Sequence, residues 1–185
     1  LAAQDQRQLL NSFNNTAKEY DKSSTITSMF ISQVQKTPDK NAVVFNDKTF
    51  TYREVDLISN RIGNFIASKG LGKEDVVAVL IPRCEWMAIA TIGVLKAGCA
   101  YQPLDPTYPL ERLQFMIKDA GVGLLIADKE LQERMNLEVG EVLFTHEILE
   151  LDYPESLPEV KYSPSDLFNL LYTSGTTGVP KGCML

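Results

Sequence analysis

The stretch Leu170-Leu171-Tyr172-Thr173-Ser174-Gly175-Thr176-Thr177-Gly178-Val179-Pro180-Lys181-Gly182 carries the densest chemical signal in the chain. The largely apolar run from Leu167 to Tyr172 predicts a buried strand, which empties into hydroxyls and glycines closed by one lysine. Glycine admits positive φ and, lacking Cβ, lets backbone N–H groups converge on an anion. The Ser and Thr hydroxyls add donors and Lys181 adds a charge. A plain solvent loop uses the same residue types. Five hydroxyl or lysine donors within nine positions, directly after a strand, weigh toward phosphate. The spacing is not that of a Walker A loop, since two residues separate Gly175 from Gly178 and a glycine follows Lys181.

Upstream of that loop the chain alternates strands and helices. Val76 to Ile81 is an unbroken apolar run ended by Pro82, as in a strand covered on both faces. Trp86, Ile89, Ala90, Gly93, Val94 and Ala97 form a helical stripe, with Lys96 in the last turn and Gly98 beyond. Cys99-Ala100-Tyr101 predicts a short strand, broken by the three prolines of Gln102-Pro103-Leu104-Asp105-Pro106-Thr107-Tyr108-Pro109. That segment either shapes a ligand edge at the carboxyl end of a strand or is a stiff turn that carries nothing. Leu110, Leu113, Ile117 and Ala120 mark a further helix, followed by a strand at Leu124 to Ala127, a short charged helix at Lys129 to Met135 and a strand at Val142 to Thr145.

Before the first long strand, a helix is predicted within Ser23 to Thr37 and a hairpin around Asn46-Asp47-Lys48. Thr51-Tyr52-Arg53-Glu54 is a capping box opening an amphipathic helix through Val55, Ile58, Ile62, Phe65 and Ile66 that ends before Gly70. Leu1 to Asp21 reads as a short helix and an extended linker, and His146 to Asp166 as a surface crossover. The fold class is α/β, a mostly parallel sheet with helices on both faces.

A chain of 185 residues is about one domain, able to bury roughly 70% of its unfolded surface. A net charge of −6 without any Lys-Arg cluster excludes a nucleic-acid surface. No apolar run reaches the roughly 18 residues of a membrane helix, and the N-terminus lacks the core of a signal peptide, so the cytoplasm is the expected compartment and no membrane is expected as a partner. Cys84, Cys99 and Cys183 lie far apart with no paired ligands, so each is expected to be a buried, reduced thiol and no metal site is expected. His146, the one histidine, has no partner for catalysis and reads as a surface residue. No carboxylate pair can be nominated for acid–base work from spacing.

Three separated stretches resemble, in order, core motifs of the adenylate-forming enzymes, the superfamily of acyl-CoA synthetases, luciferases and the adenylation domains of nonribosomal peptide synthetases. They are Phe50 to Val55, Leu95 to Asp105, and Leu171 to Gly182. Ala100-Tyr101-Gln102-Pro103-Leu104-Asp105 is similar to the amino-acid-activating branch, with Gln102 where Val is usual and Cys99 at a variable position. Leu9 to Thr16 resembles the linker between a condensation and an adenylation domain. The resemblance implies residues 1–22 as an interdomain linker with a short helix, and residues 23–185 as the N-terminal subdomain of an adenylation domain, truncated after the phosphate loop.

It further implies ATP and Mg²⁺ as ligands of the intact protein. An amino-acid carboxylate would attack the α-phosphorus, and the acyl group would pass to the phosphopantetheine thiol of a peptidyl carrier domain, with carrier and condensation domains as partners. Thr173, Ser174, Gly175, Thr176, Thr177, Gly178 and Lys181 match the family's loop for the β- and γ-phosphates. Asp105 and Tyr52 match motif positions as structural supports. The catalytic lysine and the amino-acid pocket of the family would lie beyond Leu185, so the 185 residues by themselves are expected to be inactive. A carboxylate or acyl-CoA ligase of the same superfamily, and a non-catalytic scaffold, are the alternatives.

Overall fold

The computed structural model describes residues 3–173 and 179–185. The chain opens with α1 (Ala3–Arg7), which continues as a π-helical turn over Gln8–Ser12; side chains from residue 4 to 22 are exposed. Helix α2 (Ile26–Lys36) starts later than Ser23, where Thr25 and Ser28 form a reciprocal cap. The predicted hairpin is β1 (Asn41–Phe45) with β2 (Lys48–Thr51), and its turn residue Asn46 has φ 53°. In α3 (Tyr52–Ser68) the predicted capping box is formed: Glu54 N donates to Thr51 Oγ1 (3.2 Å) and Thr51 N to Glu54 Oε2 (2.7 Å).

The centre is a four-stranded parallel sheet in which β3 (Val76–Leu80), β4 (Ala100–Pro103), β5 (Leu124–Ala127) and β6 (Val142–Phe144) lie in the order β4-β3-β5-β6. Both faces are covered, which is why β3 and β5 are apolar at every position. Val77, Val79, Leu124 and Ile126 face the cluster formed with α3 and α4 (Glu85–Lys96). Ala78, Leu80, Leu125 and Ala127 face α5 (Leu110–Asp119), through its Leu113, Met116 and Ile117. Helix α6 (Lys129–Met135) precedes β6, and a 3₁₀ turn, Thr145–Glu150, follows it.

Helices α3 and α4 approach closely because position 93 is glycine: a Cβ there would fall 2.5 Å from Ile62 Cγ2. Gly98 ends the α4 turn at φ +79°, a backbone that β-carbon-bearing residues rarely adopt. The crossover after the 3₁₀ turn is clasped to α3. Asn60 Nδ2 donates to Glu155 O (2.6 Å), Asn64 Nδ2 to Pro154 O and Ser156 O (both 2.9 Å), and Arg61 pairs with Glu155. Tyr162 then donates to the Lys96 carbonyl (2.8 Å) and Lys73 pairs with Asp166 (2.8 Å), which delivers the chain to the free edge of β4.

Three expectations are corrected. Pro103 extends β4 and does not break it. The N–H groups of Ala100 and Leu104 point to β3, donating to Asp75 O and Val79 O, whereas that of Tyr101 points outward to Phe168 O. Pro103 falls on the outward side, where its missing N–H costs no bond to β3.

The buried strand predicted over Leu167 to Tyr172 is shorter and half open. Asn169 bridges Tyr101 in parallel, and the chain then leaves the sheet as β7 (Leu170–Thr173), pairing antiparallel with β8 (Lys181–Met184). Pro103, the next outward position on β4, has no donor to continue the ladder, and a two-stranded hairpin covers only one face of its members. Leu170 is buried while Leu171 is 38% exposed.

The third correction concerns the cysteines. Cys99 is buried and Cys84 half-buried, but Cys183 is exposed, because every residue of β8 faces outward.

Candidate phosphate-binding hairpin and switch-point cleft

Strands β7 and β8 hold the two described ends of the glycine-hydroxyl loop in register. Thr173 is the cross-strand partner of Lys181, and Tyr172 that of Gly182. Thr173 and Lys181, both exposed, therefore stand opposite each other at the mouth of the hairpin. Among the described residues Lys181 enters no ion pair. Ser174, Gly175, Thr176, Thr177 and Gly178 lie outside the described residues. A hydroxyl and an ammonium borne by cross-strand partners at a strand terminus suit a phosphate group.

Beside this hairpin is a cleft of about 600 Å³. One wall is the β3–α4 connection, with Ile81, Pro82 and Arg83; another is the β4–α5 connection from Pro103 to Tyr108; the third is Leu171 and Tyr172 of β7. The location follows from the topology. Strand β3 is followed by β4 on one side through α4, and β4 by β5 on the other side through α5, with the two helices on opposite faces. The loops at the carboxyl ends of β3 and β4 diverge there, which opens a crevice of the kind in which open α/β sheets bind ligands.

The proline-rich segment thus lines the cleft. Within it Asp105 Oδ1 accepts from Thr107 N (2.9 Å) and Thr107 Oγ1 (2.7 Å), closing an Asx turn. These bonds, with a smaller contribution from Arg83, hold the Asp105 carboxyl below the usual range. Asp105 is therefore a shaper of the wall. The Arg112 guanidinium lies over the Tyr108 ring, 4.1 Å from its centroid, and stiffens the end of the same segment. Tyr52 opens α3 and packs against Phe30 (centroids 6.1 Å apart), outside the cleft lining.

Arg83 and Tyr172 are cleft residues that sequence reasoning missed. The signal for Arg83 was a lone cation immediately beyond a buried strand. Tyr172 reaches out of β7 to donate from its hydroxyl to Asp119 Oδ2 (2.7 Å). Burial, reinforced by that carboxylate, raises its phenol well above the ordinary value, so it remains a donor.

The remaining chemistry-bearing residues stay apart. His146 stacks on Phe144, 5.7 Å between centroids. Among the described residues no group of three His, Cys, Asp or Glu side chains could hold a metal ion, and no helix is long and apolar enough to cross a membrane. A smaller cavity of about 200 Å³ lies between the start of α2 and the crossover, beside Cys99, Tyr162 and Phe168; its one charged residue, Asp166, is already paired with Lys73.

Comparison with known proteins gives a consistent answer. The profile described as AMP-binding enzyme matches residues 30–185. Tyrocidine synthase 2 of Brevibacillus parabrevis is 40% identical over 187 aligned residues, which cover 100% of this chain and 5% of that protein. The crystal structure of the nonribosomal peptide synthetase FmoA3 superposes with a TM-score of 0.86 at 29% identity, covering 97% of this chain and 19% of that one. FmoA3 has also been crystallised in AMPPNP-bound and α-methyl-L-serine-AMP-bound forms, similar to this chain at TM-scores of 0.86 and 0.85. A fatty acyl CoA synthetase of Mycobacterium tuberculosis, at 21% identity, a TM-score of 0.77, and coverage of 89% of this chain and 34% of that one, shares the fold. The chain spans 3–5% of the length of the first curated relatives it matches.

Proposed function

Because the chain belongs to the AMP-binding enzyme family, we propose that residues 23–185 form the N-terminal part of an amino-acid-activating adenylation domain, with residues 1–22 as the linker that precedes it. The observation that carries this reading is the pairing of Thr173 with Lys181 at the mouth of a hairpin that borders the switch-point cleft. The exposed, coreless character of residues 4–22 supports the linker assignment.

In this reading the complete domain binds ATP with Mg²⁺. A carboxylate oxygen of the amino acid bonds to the α-phosphorus as the α–β bridging bond breaks, giving an aminoacyl adenylate and pyrophosphate. The phosphopantetheine thiol of a carrier domain then takes the acyl group and releases AMP. Repulsion between a carboxylate and a polyphosphate is the main obstacle to the first step, and preorganised donors and a cation lower it. Thr173, Ser174, Gly175, Thr176, Thr177, Gly178 and Lys181 are the residues of this chain assigned to the β- and γ-phosphates. Support for amino-acid chemistry comes from the likeness to FmoA3, which binds α-methyl-L-serine-AMP.

The test is amino-acid-dependent exchange of labelled pyrophosphate into ATP by the complete domain, across the proteinogenic amino acids and their α-methyl analogues. Exchange with one or a few of them supports the reading. Exchange driven only by fatty or aryl acids would replace it with a carboxylate ligase. The 185-residue chain by itself is expected to show no exchange.

A further inference from the structure

Hairpin β7–β8 is attached to the parallel sheet chiefly at its base. The backbone bond to the sheet there is Tyr101 N to Phe168 O (3.2 Å), with the isolated parallel bridge between Tyr101 and Asn169. A two-stranded hairpin has little stability of its own, so its far end needs another attachment if it is to present groups at a fixed place. That attachment is Tyr172. It is one residue from Thr173 along β7 and directly across from Gly182, the neighbour of Lys181.

Two contacts fix the Tyr172 side chain. Its ring lies over position 182, where a Cβ would come 3.3 Å from Tyr172 Cζ, 3.5 Å from Cε1 and 3.2 Å from Leu170 Cδ1. The glycine of the Pro180-Lys181-Gly182 run therefore makes room for a cross-strand aromatic. Its hydroxyl donates to Asp119 at the last residue of α5, a helix anchored in the sheet by Leu113, Met116 and Ile117. The same ring is one wall of the cleft and packs against the buried cluster of Val76, Ala100 and Leu170.

We propose that Tyr172, tied to Asp119 and seated over Gly182, is a positioning residue that sets where Thr173 and Lys181 meet the nucleotide's phosphates. The inference rests on the phosphate-binding reading above and adds to it a residue pair, 53 positions apart in sequence, that determines affinity for the nucleotide by fixing the hairpin.

The experiment is pyrophosphate exchange by the complete domain, with KM for ATP and for the amino acid measured separately and thermal melting as a control. Tyr172→Phe and Asp119→Ala are each expected to raise KM for ATP about three- to tenfold, the effect of one lost hydrogen bond, with the amino-acid KM unmoved. Asp119→Asn keeps an acceptor oxygen and is expected to behave as wild type. The double variant is expected to be no worse than either single one, because both remove the same bond. A purely structural role would lower the rate at saturation and the melting temperature while leaving KM for ATP unchanged. That outcome, or additive effects in the double variant, overturns the inference. A wild-type domain that shows no exchange sinks the parent reading and this inference with it; one that exchanges normally, with KM for ATP unmoved by Tyr172→Phe, sinks this inference alone.

Discussion

Lys96 Nζ lies 2.6 Å from Asp56 Oδ1, and the lysine side chain has no solvent exposure at all. Nζ also donates to Asp56 O (3.0 Å) and Asn60 Oδ1 (2.7 Å) and sits 5.2 Å from the Phe30 ring centroid. The pair joins α4 to α3 through a charge that burial disfavours, and desolvation pulls the Lys96 pKa down against the opposing influence of Asp56. Breaking such a pair from one side leaves an uncompensated buried charge, whereas replacing the cation by an apolar chain of similar length removes the need for a partner. Asp56→Ala is therefore expected to destabilise by about 3–5 kcal/mol and Lys96→Met by clearly less. Urea denaturation of the two variants checks this ordering, and equal losses would contradict it.

Gln102 is fully buried, and its Oε1 has no hydrogen-bond partner. Its Nε2 donates weakly to Met116 O (3.3 Å), a carbonyl that already accepts from Ala120 N (3.1 Å). Substituting an apolar chain of the same length leaves nothing newly unsatisfied and removes a desolvated orphan acceptor. Gln102→Met is expected to stabilise by about 1 kcal/mol, read as a higher urea midpoint with an unchanged slope. A lower midpoint would mean that Oε1 is satisfied by something that the variant loses.

Much of the architecture was legible because local and tertiary signals agreed. Val76 to Ile81 and Leu124 to Ala127 are apolar at every position, which only a doubly covered strand requires, and Thr51 with Glu54 announced the start of α3 on its own. What escaped depends on relations across the chain. Lys96 read as a cation at a helix end, because nothing in its neighbours says that Asp56 and Asn60 occupy the facing turns of α3. Arg83 and Asp105 become neighbours only when two loops meet at the switch point. Tyr172 read as the end of an apolar run, and its hydroxyl gained meaning only from Asp119. Pro103 read as a strand breaker because sequence does not reveal which side of β4 its nitrogen faces. Of the residues assigned to the phosphate loop, Thr173 and Lys181 are cross-strand partners, a relation the motif alone did not give, and residues 174–178 lie outside the described part of the chain.

Alkaline pH gives a further check on the core. Burial, with a smaller effect of Asp75, pushes the Cys99 thiol from its ordinary 9.0 up to about 12, and burial pushes the Tyr162 phenol from 10.0 up to about 12. Between the unfolded and folded values the folded chain holds more protons, so stability falls as pH rises through that window, by up to about 1.4 kcal/mol per pH unit for each group. Lys96, whose pKa is lowered, contributes the opposite sign below its ordinary 10.5, and that contribution is common to wild type and a cysteine variant. Cys99→Ala is expected to flatten the decline in stability above about pH 9. Denaturation midpoints measured from neutral to alkaline pH check this; parallel curves for wild type and variant would contradict it.

The central claim is that the hairpin mouth formed by Thr173 and Lys181 grips the nucleotide's phosphates. Pyrophosphate exchange by the complete domain carrying Lys181→Ala, compared with wild type and with the surface variant Lys129→Ala, addresses it most directly. The account predicts that Lys181→Ala lowers kcat/KM for ATP by about 100-fold or more, while Lys129→Ala retains wild-type exchange. An unchanged kcat/KM for ATP in a folded Lys181→Ala domain would contradict it.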